Sequence, residues 1–100
     1  MAKQVPPKTV AHRLQNGEDV LILDVRENNE VEDGKIPGAK HIPIGHIALR
    51  QDELNKNETY VVVCQSGNRS KAACGILEAL GYKVEDMVGG MNDWNGELDK

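Results

Sequence analysis

Thr59-Tyr60-Val61-Val62-Val63-Cys64-Gln65-Ser66-Gly67-Asn68-Arg69-Ser70 is the stretch that decides the fold. Thr59 to Val63 is β-branched or aromatic and shows no polar–apolar alternation, the pattern of a strand buried on both faces of a parallel sheet. From Ser70 to Leu80, the residues Ala72, Ala73, Ile76, Leu77 and Leu80 share one face of a predicted helix, and Gly81 supplies its stop. Small and turn-forming residues join the two elements, with Cys64 the first residue past the strand.

On the N-terminal side, Val20 to Val25 is a second continuous apolar run, also of strand length. Before it, Thr9 to Gly17 reads as a short helix, with Thr9 as the cap, Val10, Ala11 and Leu14 as an apolar stripe, and Gly17 as the stop. Glu27 to Asp33 is polar and compatible with helix, ended by Gly34. Ile36-Pro37-Gly38-Ala39 is a turn, Lys40-His41-Ile42 a short strand, and Ile44 to Leu54 a weakly amphipathic helix. On the C-terminal side, Lys83 to Met87 fits a strand, Gly89-Gly90 breaks it, and Met91 to Asn95 forms a last turn with Trp94 folded back on the body. Strands and helices therefore alternate. The layered solution to that order is an α/β fold with a mostly parallel sheet and helices on both faces, which places ligands beyond the carboxyl ends of the strands.

The chain has 100 residues, 16 of them acidic and 12 basic, with no Phe and with Tyr60, Tyr82 and Trp94 as its large aromatics. Residues 1–100 are read as one domain with an aliphatic core. The mildly acidic balance excludes nucleic acid as the main partner. No signal-peptide core opens the sequence and no apolar run is long enough to span a bilayer, so a cytoplasmic location is expected. Two cysteines do not make a disulfide framework. With His12, His41 and His46 scattered, no metal site is expected either.

The loop from Cys64 to Ser70 is the candidate centre of chemistry. Gly67 and Asn68 accept left-handed backbone angles, so the loop can curl with its amides inward. A curled loop that opens a helix makes a nest for an anion. A thiol at its centre is pushed towards thiolate, the nucleophilic form. Cys64 is thus the candidate nucleophile, while Gln65, Ser66, Gly67, Asn68, Arg69 and Ser70 line the binding loop, Arg69 adding a permanent positive charge. Cys74, inside the helix, reads as a packing residue out of disulfide reach of Cys64. Asp24 and Arg26, after the first long strand, read as braces for neighbouring loops, with Asp24 the nearer to the pocket.

At these residues the chain resembles the rhodanese homology family, most strongly over residues 20–94. Four patches carry the likeness: Leu23-Asp24-Val25-Arg26-Glu27; Gly34-Lys35-Ile36-Pro37-Gly38-Ala39-Lys40-His41-Ile42-Pro43; Cys64 to Ser70; and Gly89-Gly90-Met91-Asn92-Asp93-Trp94. The resemblance implies a three-layer fold around a five-stranded, largely parallel sheet. It also implies a sulfurtransferase that moves sulfane sulfur from thiosulfate or a low-molecular-weight persulfide, through a Cys64 persulfide, to cyanide, a thiol or a protein acceptor. That chemistry requires no cofactor. Val31 stands where the family often has an aromatic residue and Lys35 where it has His. Gln65 is neutral where many members carry a basic residue, which points towards a persulfide donor.

Two other readings compete. One is a rhodanese-like sulfur-carrier or regulatory module without turnover of its own. The other is a cysteine-dependent phosphatase or arsenate reductase. Against the phosphatase stands the spacing: four residues separate Cys64 from Arg69, where related phosphatase loops have five. An arsenate reductase would need an accessible second thiol.

Overall fold

The computed structural model describes residues 2–100. Five strands form one sheet: β1 (Lys3–Val5), β2 (Leu21–Asp24), β3 (Lys40–His41), β4 (Thr59–Val63) and β5 (Lys83–Met87). Their order is β1-β5-β4-β2-β3, and every ladder is parallel. The helices are α1 (Pro7–Gln15), α2 (Asn28–Val31), α3 (Ile47–Arg50) and α4 (Asn68–Ala79), with short 3-10 turns at Ile44–His46, Gln51–Glu53 and Gly90–Asp93.

The unbroken apolar runs have the predicted consequence. In β4 and just past it, Tyr60, Val62 and Cys64 enter one core while Val61 and Val63 enter the other; Leu23 and Ile22 divide in the same way along β2. Such division follows from the two-residue period of a strand. The first core is closed by Ile47 of α3 and by Ala73, Cys74 and Leu77 of α4. Val10 of α1, Ile36, Ala39 and Met87 close the second, with Trp94 packed at its edge. Helices therefore cover both faces, and the carboxyl end of central strand β4 runs directly into α4.

The structure departs from expectation at several local points. Strand β1 carried no signal, because only Val5 of its three residues is buried and it pairs with β5 alone. Helix α1 starts at Pro7 with Pro6 at the cap position, not at Thr9; proline, lacking an N–H and fixed in φ, suits a first turn. Helix α4 starts at Asn68, two residues before the predicted start. Its buried face is Ser70, Ala73, Cys74 and Leu77, while Ala72 is exposed and Ile76 is 39% exposed. The polar Ser70 concealed that phase. Residues 44–54 break into a short helix between two 3-10 turns, as a weak apolar stripe allows. Among the described residues no helix is long and apolar enough to cross a membrane.

Candidate active site

Cys64 follows β4 directly, and the chain must then turn sharply to enter α4. Gly67 makes the turn at φ +97°, a left-handed angle that favours glycine. This turn aims the Gly67 N–H back at the cysteine, where it donates to Sγ at 3.0 Å. No side chain caps α4, so the amides of its first turn, at the positive end of the helix dipole, meet no side-chain acceptor.

The loop rests on the segment after β5. The Met91 amide donates to the Cys64 carbonyl at 2.8 Å and the Asn92 amide to the Gln65 carbonyl at 2.9 Å. Gly90, at φ +60°, lies so close beneath that a Cβ there would run into the Cys64 carbonyl and the Gln65 backbone. The Gly-Gly pair noted in the sequence is therefore the floor of the cysteine loop.

Cys64 is fully enclosed, and so nearly is Cys74; neither forms a disulfide. What separates them is the surroundings of the sulfur. Cys74 Sγ donates to the Glu85 carbonyl at 4.0 Å and meets no backbone amide among the described residues. Burial pushes the Cys74 thiol up to about 12, and the negative charges of Asp86 and Glu78 push the same way.

Arg26 is the hub of the surrounding frame, and it is nearly fully buried. Its Nε and Nη2 donate to the Asp24 carboxylate at 3.0 and 2.8 Å, its second Nη2 contact goes to the Gly34 carbonyl at 2.8 Å, and Nη1 donates to Gln65 Oε1 at 3.0 Å. The two residues thus brace loops, but their order relative to the pocket is reversed. Asp24 is wholly enclosed against Arg26, and it is Arg26 that reaches the cysteine loop. The reason is reach: the long guanidinium side chain spans the gap that a short carboxylate at the strand end cannot. Gln65 is held from its other end too, its Nε2 donating to Asn92 Oδ1 at 2.7 Å.

Arg69 is not an unpartnered cation. It forms a two-pronged pair with Glu30 of α2, Nη1 to Oε1 at 2.6 Å and Nη2 to Oε2 at 2.7 Å. That hydrogen-bonded pair holds the Glu30 carboxyl down at about 2 and raises Arg69. Ser70 is buried with its hydroxyl turned to the sheet. Its one proton serves the Asp86 carboxylate at 2.6 Å in preference to the Gly67 carbonyl at 3.1 Å, so towards the loop Ser70 offers its backbone only. Ser66 and Asn68 are exposed.

A cavity of about 400 Å³ adjoins the loop, lined by Arg26, Glu30, Asp33 and Gln65 on its polar side and by Met91, Trp94 and Leu98 on its apolar side. A larger one, about 600 Å³, lies between α1 and the segment from Asp93 to Gly96 and includes no residue of the cysteine loop. Sequence reasoning missed Glu30, Asn92 and Asp86 as partners of loop residues. Glu30 alone carried a signal: three residues after Glu27, at capping-box spacing, its Oε1 accepts the Glu27 amide at 3.0 Å.

An all-parallel α/β sheet whose central strand is followed at once by a cysteine, with a glycine amide turned onto its sulfur before the next helix, defines a cysteine-loop domain with its site beyond the strand ends. The family model described as the rhodanese-like domain matches residues 7–97, and the chain belongs to that family. It is 37% identical over 95 residues to YtwF of Bacillus subtilis, named as a candidate sulfurtransferase, covering 95% of this chain and 92% of that protein. It is 36% identical over 95 residues to a protein of Allochromatium vinosum named sulfurtransferase, covering 94% and 89%. Among solved structures, a rhodanese-like domain protein from Staphylococcus aureus superposes with a TM-score of 0.92 at 37% identity, covering 97% of this chain and 96% of that one.

Proposed function

We propose that this protein is a sulfurtransferase in which Cys64 accepts a sulfane sulfur, holds it as a persulfide and passes it to a thiophilic acceptor such as cyanide, a thiol or a protein. The observation that carries the reading is the Gly67 N–H directed at Cys64 Sγ at the uncapped start of α4. Amides fixed in that orientation stabilise negative charge on sulfur without reorganising during the reaction. The names borne by the relatives support the same chemistry.

Loading exchanges one sulfur–sulfur bond for another. The Cys64 thiolate attacks the outer sulfur of the donor, the donor's S–S bond breaks, and its electron pair leaves on the departing thiolate or sulfite. Attack by the acceptor on the outer sulfur of the Cys64 persulfide then returns the starting thiolate. No net oxidation occurs. Gln65, Ser66, Gly67, Asn68 and Ser70 contribute through the loop's backbone, and Arg69 at the loop's end orients an anionic donor wherever that donor displaces Glu30. A location in the cytoplasm suits a thiol that must stay reduced between cycles.

Incubation with thiosulfate or glutathione persulfide, followed by intact mass measurement, tests the proposal. The wild-type protein is expected to gain about 32 Da, one sulfur atom. Cys74→Ser keeps the gain and Cys64→Ser loses it. Absence of uptake from every donor would defeat the proposal. The complete enclosure of Cys64 favours a second reading, a sulfur carrier that loads from a small donor and unloads only to a docked partner. A protein that takes up one sulfur but fails to turn over with cyanide or free thiols would support that reading.

A further inference from the structure

We propose that the entrance to the Cys64 loop selects an organic persulfide over thiosulfate, with Glu30 as the specificity-determining residue. This deepens the sulfur-transfer reading and rests on it. A small dianion such as thiosulfate needs a free cation near the nucleophile, and the structure withholds both candidates. Both terminal nitrogens of Arg69 are engaged by Glu30 at 2.6 and 2.7 Å. Arg26, the sole cation lining the adjoining cavity among the described residues, is neutralised by buried Asp24 at 2.8 Å.

The residue beside the nucleophile adds no charge. Gln65 is clamped by Arg26 on one side and Asn92 on the other, so its neutral amide stays at the cavity wall. What remains along that cavity is the acidic residue Asp33, with no cation paired to it in the lining, and the apolar residues Met91, Trp94 and Leu98. Leu98 is 48% exposed. Such a cavity repels a compact dianion and offers contact area to a donor with a carbon body. In the step it favours, R–S–SH and the Cys64 thiolate give R–S⁻ and the Cys64 persulfide. The donor's S–S bond breaks as the new one forms, and the departing thiolate carries the electron pair.

The test compares initial rates of sulfur uptake from three donors: thiosulfate, glutathione persulfide, and the dimethyl ester of glutathione persulfide, which keeps the same reactive sulfur but lacks both carboxylate charges. With wild-type protein the ester is expected to load roughly threefold or more faster than the acid form, with thiosulfate slowest. Glu30→Gln removes the carboxylate charge that neutralises Arg69 and places an amide donor against one of its nitrogens, while the remaining oxygen still accepts the Glu27 amide. It is expected to raise the thiosulfate rate about tenfold and to bring the ester-to-acid ratio towards one. Added salt should then slow thiosulfate loading in Glu30→Gln but not in wild type, because screening weakens attraction to a freed cation.

Thiosulfate loading the wild type as fast as the ester overturns the proposal, as does an unchanged thiosulfate rate in a folded Glu30→Gln protein. If that variant does not fold, the ester-to-acid ratio of the wild type decides alone, and a ratio of one or below refutes charge selection. No uptake from any of the three donors overturns the sulfur-transfer reading itself and this proposal with it.

Discussion

Cys64 and Cys74 lie in the same apolar core, both almost completely enclosed, yet the polar groups around their sulfurs differ. Cys74 projects from the middle of α4 against the sheet, and burial with nearby carboxylates disfavours its thiolate, lifting it to about 12. Cys64 stands just before the N-terminal end of that helix, where the Gly67 amide points at its sulfur. Enclosure alone therefore does not distinguish the two cysteines. The direction of the nearest backbone dipole does, and under the proposed function it marks Cys64 as the nucleophile.

The two regions also differ in how they are held. Side-chain packing fixes Cys74, whereas a polar frame of Asp24, Arg26, Gln65 and Asn92, with Gly90 beneath, fixes the Cys64 loop. Variants that break the frame should therefore have larger effects than variants that touch Cys74. Arg26→Ala leaves the Asp24 carboxylate buried without its cation, accepting the backbone amide of residue 26, and urea unfolding should show a loss of about 3–5 kcal/mol. Gly90→Ala forces a left-handed residue with a Cβ into the Cys64 carbonyl; about 2 kcal/mol of stability should be lost. Its sulfur uptake should fall more steeply than its stability, since the floor of the loop is displaced. Cys74→Ala removes one buried sulfur and should cost about 1 kcal/mol, with uptake unchanged. A comparable loss of uptake in that variant would erase the distinction between the two cysteines.

The smallest effect concerns pH. Pairing with Arg69 depresses Glu30 from 4.5 to about 2 in the folded protein, so the pair's contribution is complete above the unfolded value and is lost as pH falls towards the folded one. The stability gap between wild type and Glu30→Gln, measured by urea unfolding, should be constant near about pH 6 and narrower near about pH 3. A gap that does not narrow would show that the pair adds nothing to folding.

The layered α/β order was legible because the runs around β2 and β4 are apolar without alternation, the pattern of strands buried on both faces, and because helical patterns alternate with them. Cys64, Gly67 and the strand–loop–helix join were legible for the same local reason. Strand β1 was not, since one buried Val5 carries no pattern. Nor was the phase of α4, where Ser70 hides its hydroxyl against Asp86 sixteen positions away. The partner of Arg69 was the most consequential omission. Arg69 and Glu30 stand 39 positions apart, and no local periodicity joins them. Polar pairs between elements distant in sequence are invisible to neighbour spacing, whereas apolar faces are not.

The central claim is that the turn into α4 holds a negatively charged sulfur on Cys64. A crystal structure of the protein after exposure to glutathione persulfide examines it most directly. The account predicts one additional sulfur atom bonded to Cys64 Sγ, within hydrogen-bonding distance of the amides at the start of α4. Additional sulfur on Cys74, or on Cys64 but turned away from those amides, would contradict it.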